Sequence, residues 1–294
     1  MTVTIFGSAI ADLVFRLERL PRPGETLLGQ AGAPLAGGKG LNQAIAAARD
    51  GADARFVGCV GRDEHGDLLR MALIQAGVNV AGLRGEDVPS GLACVCVDAA
   101  GQNQIAVSPG ANLLARAAQL PELRDDTILL LQMEVTPAEN VRAIARGRAA
   151  GARVLLNLAP AAAMDRTALG GVDLLIVNES EAAWLGQQLG RAGDAAALHE
   201  ALGIGVAVTQ GGAGASVMTA AGAFDVPAFP VEVRDSTGAG DAWCGVLAAA
   251  LHLGMPLELA VRRANAAGAL ACTKAGAAPA MPDSAAIDAL MGLD

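Results

Sequence analysis

The stretch of sequence that decides the fold is Asp235-Ser236-Thr237-Gly238-Ala239-Gly240-Asp241. An apolar run leads into it and a helical pattern follows it, so two glycines and other small residues open a helix. The first backbone N–H groups of a helix have no partner within it, and together with the helix dipole they attract anions. A carboxylate in the first turn can take a proton from a hydroxyl group while those N–H groups hold a phosphate. The stretch therefore predicts a phosphoryl-transfer site, with Asp241 as general base and an anion hole at residues 237–240.

Length and composition predict one large α/β domain spanning 1–294, because 53 % of the 294 residues are hydrophobic and can form a large core. No apolar run reaches the roughly 18 residues that a bilayer crossing requires. The first residues lack the basic start of a signal peptide. The five cysteines are odd in number and form no CxxC pair, which is typical of reduced thiols. We therefore expect a cytoplasmic protein with no membrane partner.

The charge and the rarer residue types exclude several classes of function. A net charge of −9 provides no basic field for a nucleic-acid backbone, and five Phe, two Trp and no Tyr provide few surfaces on which bases could stack. None of the three histidines lies in a motif, which argues against a Ser-His-Asp triad or a histidine-rich metal site. A phosphate ligand must then be held by backbone N–H groups, a few local cations and metal ions.

Continuous apolar runs alternate with helical patterns along most of the chain, as expected for central strands that are covered on both faces. The strands predicted from these runs are 3–9, 55–60, 127–134, 154–158, 174–178 and 206–209. Residues 42–50 are rich in Ala and stop at Gly51, while residues 136–139 form a capping-box pattern with Pro at the first helical position. Repeated βα units predict a mostly parallel sheet between two layers of helices.

Two stretches interrupt this alternation, at about 13–37 and 92–107, where strand-like patterns and turn residues follow one another with no helix between them. Each stretch is predicted to form a β-hairpin inserted into an early βα unit. Antiparallel strands that project from an α/β body can form a lid over a site.

A second glycine-rich motif opens another predicted helix: Gly37-Gly38-Lys39-Gly40-Leu41-Asn42-Gln43-Ala44. It lacks the spacing of a Walker A loop. With Gly51 and Gly61 downstream, it resembles the N-terminal signature of the ribokinase (PfkB) family of carbohydrate kinases, and residues 235–241 resemble the C-terminal signature. Further matches to the family stand in order along essentially the whole chain, at residues 7–8, 12, 23–26, 132–134, 157–160, 178–181 and 209–212.

The resemblance implies a ribokinase-like three-layer α/β/α fold with a small β-hairpin lid, and transfer of the γ-phosphate of ATP to a sugar hydroxyl. Within the family the chain most resembles the kinases that make D-ribose 5-phosphate. Kinases of nucleosides, deoxyribose or ketohexoses remain the alternative, because few residues shape the pocket. A non-catalytic sugar- or nucleotide-binding regulator is a more distant alternative, which the intact Asp241 and its glycines disfavour.

The resemblance also implies a role for individual residues at the sugar. The positions that match the sugar-holding residues of the family are Asp12, Gly38, Lys39, Asn42, Glu134 and Asp241. Asp, Asn and Glu side chains supply the paired acceptors and donors that a polyol needs. Asp12 as a turn residue and Glu134 as a solvated strand end are the competing interpretations.

At the nucleotide, the resemblance assigns the phosphates, ribose and base of ATP to Asn178, Thr209, Gly211, Gly212, Gly214, Gly240 and Asn265. Glu181 is expected to hold Mg²⁺ through water, although Asn178 and Glu181 also form a helix-capping pattern. A monovalent cation, usually K⁺, is expected at Asp235, Thr237, Ala271, Lys274, Gly276 and Ala280. Ala280 lacks the hydroxyl that a family serine offers there. Pairing of the lids between subunits would give a homodimer.

Overall fold

The structure is a computed structural model that describes residues 2–293, and its strands divide between a large and a small sheet. In chain order they are β1 (Thr2–Phe6), β2 (Ile10–Arg16), β3 (Gln30–Ala31), β4 (Leu35–Gly37), β5 (Ala54–Gly61), β6 (Asn79–Glu86), β7 (Gly91–Val97), β8 (Asn103–Ser108), β9 (Thr127–Gln132), β10 (Arg153–Asn157), β11 (Leu174–Asn178), β12 (Gly205–Thr209), β13 (Ala215–Thr219) and β14 (Gly222–Val226).

The large sheet has the strand order β14-β13-β12-β11-β10-β9-β1-β5-β6 within residues 2–293. The pairs from β12 through to β6 are parallel, and β13 and β14 extend the sheet in antiparallel fashion. The central strands are buried on both faces, which explains why their sequences are continuous apolar runs. Parallel strands end at the same edge of a sheet, so the loops that follow them are gathered along one edge.

Helices cover both faces of the large sheet. In chain order they are α1 (Lys39–Arg49), α2 (Glu64–Gln75), α3 (Pro137–Ala149), α4 (Arg166–Leu169), α5 (Glu179–Leu189), α6 (Ala195–Leu202), α7 (Ala239–His252), α8 (Leu257–Ala271) and α9 (Ser284–Met291). One hydrophobic core joins the sheet to α1, α2, α7, α8 and α9, and a second core on the opposite face joins it to α3, α4, α5 and α6. The predicted three-layer α/β/α arrangement is confirmed. None of the helices in this part of the chain combines the length and apolarity of a membrane-spanning segment.

The small sheet consists of β3, β2, β7 and β8, with β4 paired to the other end of β2. The two stretches predicted as separate hairpins are joined here, because β2 and β7 run parallel and pair along their whole length. Asn112 is buried and ties the two insertions at their base: its Nδ2 donates to the Ala9 carbonyl and its Oδ1 accepts from the Ala9 N–H, each at 2.9 Å. The small sheet is therefore anchored to the body where β2 begins and β8 ends.

Three details differ from the sequence-based expectations. The run 3–9 is divided, because β1 ends at Phe6 and the chain then crosses to the small sheet at Ile10. The run 127–134 ends as a strand at Gln132, so Glu134 is turned out of the sheet. The predicted capping box at 136–139 is wrong: the Glu139 N–H donates to the Thr136 carbonyl rather than to its side chain, and the Glu139 carboxylate accepts from the Ala117 N–H at 2.8 Å.

Helices α1 and α7 pack unusually closely at Gly245. A Cβ atom at this residue would lie 2.3 Å from the carbonyl oxygen of Gln43 and 2.7 Å from the Cβ of Ala46. Cβ atoms do not approach other atoms this closely, so only glycine permits the observed separation of the two helices.

The substitution Gly245→Ala is expected to force α1 and α7 apart. Overpacking a buried contact in this way costs about 1–3 kcal/mol, which corresponds to a fall in Tm of about 2–8 °C for a chain of this size. Gly268→Ala in α8 is the matched control, since its Cβ would lie 3.4 Å from its nearest neighbour and alanine favours helix. Thermal melts of both variants check this, and a Gly245→Ala protein as stable as the control would contradict it.

Candidate active site

The candidate site is a cavity of about 230 Å³ at the edge where the parallel strands end and the helices α1, α5 and α7 begin. Gly238 caps α7 with φ of 78°, a left-handed conformation that a side chain would strain. Polar groups dominate the lining, which includes Lys39, Asn157, Asn178, Glu181, Thr209, Gly238, Gly240 and Asp241. The structure thus brings residues from both glycine-rich motifs to one cavity.

The backbone N–H groups at the start of α7 are only partly free. The Thr237 N–H donates to Asp235 Oδ1 at 2.9 Å, and the Ala239 N–H donates to the Ser236 carbonyl at 3.2 Å. Within residues 2–293, the N–H groups of Gly238 and Gly240 have no hydrogen-bond partner. Of the donors expected to form an anion hole at residues 237–240, the described chain therefore leaves the N–H groups of these two glycines available.

Asp241 is buried, with 7 % of its surface exposed, and both of its carboxylate oxygens accept hydrogen bonds from α1. Asn42 Nδ2 donates to Oδ2 at 2.9 Å and Gln43 Nε2 donates to Oδ1 at 3.0 Å. The side-chain oxygen of Asn42 is buried and has no partner within the described chain. An unpaired buried acceptor is costly, so this oxygen is suited to a hydroxyl donor of a ligand.

Glu134 links β9 to the start of α1. Its Oε2 accepts from Ser8 Oγ at 2.5 Å and from the Lys39 N–H at 2.9 Å. Helix α1 has no acidic residue in its own first turn, and Glu134 provides a negative charge at this positive end of the helix dipole. Glu134 is thus a half-buried, hydrogen-bonded side chain rather than a solvated strand end.

Asp12 lies on β2 of the small sheet, in the field of other carboxylates. Burial, and then the charges of Glu134 and Asp241, raise the pKa of Asp12 to about 6. An acceptor crowded by like charges at this position is stabilised by hydroxyl donors, which a polyol supplies.

Lys39 is the cation of the cavity. Burial would lower the pKa of its ammonium group, but the charges of Asp241, Glu134 and Glu181 raise it above its ordinary value. Lys39 therefore stays charged and faces both the predicted base and the predicted phosphate side. The resemblance placed Lys39 at the sugar, and its position in the cavity also allows contact with a transferring phosphate.

On the nucleotide side, Asn178 and Glu181 form a complete capping box at the start of α5. Asn178 Oδ1 accepts from the Glu181 N–H and Glu181 Oε2 accepts from the Asn178 N–H, each at 2.8 Å. Both residues also line the cavity, so the capping and the binding interpretations are compatible. Burial raises the pKa of Glu181, against the opposing effects of the Asn178 N–H and of Lys39. Thr209 pairs with Asn178 in the sheet and lines the same cavity.

The remaining nucleotide candidates lie outside this cavity lining. Gly211 and Gly212 form a 3-10 turn after β12, and Gly214 closes that turn. The amide of Asn265 is fully engaged: its Oδ1 accepts from Trp243 Nε1 at 2.7 Å, and its Nδ2 donates to the carbonyls of Val226 and Pro227. Asn265 thus ties α8 to α7 and to the end of β14, and its side-chain groups are not free for a base.

The predicted cation residues form one folded corner. Asp235 Oδ2 accepts from the Gly276 N–H at 2.8 Å, and its hydrogen bonds with Thr237 and Gly276 outweigh the effect of burial and lower the pKa of Asp235. Arg49 at the end of α1 donates to the carbonyls of Ala278 and Met281, which flank Ala280. The donor set that the resemblance implies is one carboxylate and main-chain carbonyls, which suits a hard monovalent cation. Ala280 contributes no side-chain oxygen to it.

Three residues without an assigned role from the sequence contribute to the site. Ser8 orients Glu134, Gln43 contacts Asp241, and the buried Cys244 lines the cavity below Asp241. Burial raises the pKa of the Cys244 thiol well above its ordinary value, so it stays protonated. Gln43 directly follows Asn42 in the glycine-rich motif, and this place in the motif is the sequence signal that could have identified its role.

Comparison with known proteins identifies the family. The sequence matches the pfkB family of carbohydrate kinases over residues 2–284. It is 33 % identical over 293 residues to ribokinase from Haemophilus influenzae, covering 96 % of this chain and 95 % of that protein. The fold is similar to the crystal structure of ribokinase from Thermotoga maritima, with a TM-score of 0.90 and 30 % identity over 99 % of both chains. It is also similar to Arabidopsis thaliana ribokinase complexed with ribose and ATP, with a TM-score of 0.88 and 31 % identity over 100 % of this chain and 99 % of that one. The chain therefore belongs to the pfkB family of carbohydrate kinases, which makes it a phosphotransferase with the ribokinase fold.

Proposed function

We propose that the protein is a ribokinase, which transfers the γ-phosphoryl group of ATP to the 5-hydroxyl of D-ribose. The observation that carries this proposal is the buried Asp241 carboxylate, which lies between the free N–H groups of α7 and the unpaired acceptor of Asn42. The similarity to a ribokinase that binds ribose and ATP supports these two substrates.

In the proposed reaction, Asp241 accepts the proton of the sugar hydroxyl as that oxygen attacks the γ-phosphorus of ATP. The bond from phosphorus to the β–γ bridging oxygen breaks, and ADP leaves with the electron pair. Asp12, Asn42 and Glu134 hold the sugar hydroxyls, so the attacking oxygen is presented to Asp241 in one orientation. The transfer is direct, and no covalent enzyme intermediate is formed.

Charge on the transferring phosphoryl group is stabilised by the free N–H groups of Gly238 and Gly240 and by the ammonium group of Lys39. Lys39, Gly238 and Gly240 line the same cavity as Asp241. Asn178 and Thr209 are placed to contact the other phosphates, and the turn at residues 211–214 is assigned to the nucleotide beyond them.

Magnesium is assigned to the Glu181 side of the cavity. Only Glu181 Oε2 is used by the capping box, so Oε1 is available to a hydrated cation. Mg²⁺, when bound, neutralises phosphate charge and orients the γ-phosphoryl group. We assign K⁺ to the corner formed by Asp235, Thr237 and Gly276, next to the start of α7, with further carbonyl ligands from Ala271 and Lys274 and none from the Ala280 side chain.

The small sheet is proposed to act as a lid over the sugar and as the contact of a homodimer in the cytoplasm. Ile105 and Val107 on β8 are 55 % and 52 % exposed, a high value for β-branched residues of a paired strand. The five cysteines are free, in keeping with a reducing compartment.

Light scattering at micromolar protein is expected to give the mass of a dimer, and a monomer mass argues against this contact.

Asp241→Asn is expected to fold and bind both substrates but to lose about 10³-fold or more of its turnover, because the amide cannot accept the proton. Turnover is measured by coupled ADP release, and binding of each substrate by calorimetry. Asp87→Asn is the matched control, since Asp87 is an exposed partner of Arg62 and the same chemical change there leaves turnover unaltered. Near-normal turnover in Asp241→Asn would remove Asp241 from the role of base.

The same ADP-release assay across ribose, 2-deoxyribose, fructose and nucleosides tests the choice of substrate. We expect kcat/KM for ribose to exceed the other values by about tenfold or more, since a lost hydroxyl leaves a buried polar group of the site unpaired. Repeating the ribose assay in K⁺ and then in Na⁺ tests the cation assignment, with faster turnover expected in K⁺. A higher value for another acceptor would replace ribose, and ligand binding with no ADP release over hours would indicate a regulator.

Sugar binding is expected to depend on the ionisation of Asp12. With its pKa raised to about 6, Asp12 loses its charge and one acceptor oxygen as the pH falls below 6. Affinity for ribose in the absence of nucleotide is therefore expected to fall by about tenfold between pH 7.5 and pH 5. Asp12→Asn is expected to bind ribose weakly and with little dependence on pH. Calorimetry between pH 5 and pH 7.5 checks both expectations. If ribose affinity changes equally with pH in the two proteins, the pH dependence belongs to another group.

The raised pKa of Asp12 also predicts a difference in stability between the unmodified protein and Asp12→Asn. Measuring this difference shows whether the variant folds. A raised pKa means that the folded protein holds the Asp12 proton more tightly than the unfolded chain does. Ionisation of Asp12 therefore costs stability as the pH rises from about 4 to about 6, and the full cost is present above pH 6. Ligand-free Asp12→Asn is expected to melt at a higher temperature than the unmodified protein at pH 8, and at a similar temperature at pH 4.

A further inference from the structure

Three amide side chains are buried next to Asp241, and one of them, Asn157, also lines the cavity. Gln43 and Gln132 have no exposed surface and Asn157 is 7 % exposed. Burying amides is costly unless they are hydrogen-bonded. We refer to these residues as the amide chain.

Hydrogen bonds fix the direction of the amide chain. Gln43 Nε2 donates to Asp241 Oδ1 at 3.0 Å and to Asn157 Oδ1 at 3.1 Å, while Gln43 Oε1 accepts from Gln132 Nε2 at 2.6 Å. Asn157 is oriented in turn, because its Nδ2 donates to the Ile176 carbonyl at 3.3 Å. If the Gln43 amide were reversed, its oxygen would face the acceptor oxygens of Asp241 and Asn157, and its NH₂ group would face the NH₂ donor of Gln132. Gln43 therefore has one allowed orientation, with both of its N–H donors used.

The amide chain distinguishes the two oxygens of Asp241. Oδ1 is directed at Gln43 and is held inside the protein, whereas Oδ2 is bonded to Asn42, a residue whose own oxygen lacks a partner. A carboxylate held at both oxygens by donors from one helix cannot rotate about its χ2 torsion without losing one of them.

We propose that Gln43, oriented by Gln132 and Asn157, is a positioning residue for phosphoryl transfer that holds Asp241 with Oδ1 inward and Oδ2 towards the sugar hydroxyl. This inference rests on the proposed role of Asp241 as base. Gln43 does not contact either substrate in this arrangement; it acts through the carboxylate. Substrate affinity is thus set elsewhere, and the rate of the chemical step depends on the amide chain.

The test is Gln43→Met, which keeps the length of the side chain and removes both N–H donors. The expected result is a fall in kcat of about 10- to 100-fold, because small errors in the orientation of a base slow proton transfer strongly. The KM values for ribose and ATP, and the ribose affinity measured by calorimetry, are expected to change by less than about threefold.

A merely structural role would give a different pattern, which a double-mutant cycle detects. In the Asp241→Asn background, Gln43→Met is expected to cause no further loss of the residual turnover, because the base through which it acts is gone. A defect in packing would lower the turnover of both backgrounds by the same factor. The matched control is Asn140→Leu, which removes a buried amide that donates to the main chain of Gln132 at 2.7 Å. That variant is expected to lower Tm and leave kcat unchanged.

Gln132→Met provides a second variant should Gln43→Met fail to fold. It removes the donor to Gln43 Oε1 without touching Asp241, so kcat is expected to fall by a smaller factor of about three to ten, again only in the presence of Asp241. Effects that are equal in both backgrounds, or a kcat for Gln43→Met within twofold of the unmodified protein, would overturn the inference. If the unmodified protein releases no ADP with any sugar, the proposed function itself fails; if it does and Asp241→Asn does not, only the inference about Gln43 is at stake.

Discussion

The active site depends on the close contact between α1 and α7. Each helix begins with a glycine in a left-handed conformation, Gly38 and Gly238, and each directs its N-terminus to the same edge of the large sheet. The absence of a side chain at Gly245 lets the two axes approach until Asn42 and Gln43 reach Asp241. The proposed sugar contacts on one helix and the proposed base on the other are thereby held in one rigid unit.

The charges of the site are unbalanced in the absence of ligands. The carboxylates of Glu134, Glu181 and Asp241 act on the ammonium group of Lys39, Asp12 adds a fourth acid to the site, and the whole chain carries a net charge of −9. Such a site attracts hydroxyl donors and cations more readily than free phosphate. A nucleotide whose phosphates arrive with Mg²⁺ brings its own compensating charge. The acidity of the site therefore agrees with a substrate that is a neutral polyol and a phosphate donor that is a metal complex.

Much of the fold could be predicted from the sequence, because continuous apolar runs and glycine-rich helix starts are local signals. The residues gathered at the edge of the sheet also followed from two motifs and the resemblance they carry. Edge strands were harder to predict, because β6 and β14 are partly exposed and lack a continuous apolar run. The capping box at Thr136 failed because a buried Glu139 was needed by another segment, which local sequence does not record.

Sequence-based predictions failed at the site for the same reason, because contacts with distant segments decide which groups are free. Thr237 lies in the motif of the anion hole, yet its N–H is used by Asp235, and Asn265 is occupied by Trp243 and the end of β14. The hydrogen bonds within the amide chain join residues 89 and 114 positions apart in sequence, and its bond to Asp241 joins residues 198 positions apart. No pattern within one motif therefore indicates these contacts. Contacts of this kind become visible only when the three-dimensional neighbours are known.

That separation also bears on how the protein becomes active. The bonds from Asn42 and Gln43 to Asp241 span 199 and 198 residues, and α7 lies against the first strand of the sheet although it is made long after that strand. A nascent chain can pair β1, β5 and β9 early, but the face of the sheet that α7 covers stays open to solvent until α7 has left the ribosome. The proposed base and the closure of this core thus arise in the same step, so a product truncated before α7 would display an apolar surface and would lack Asp241.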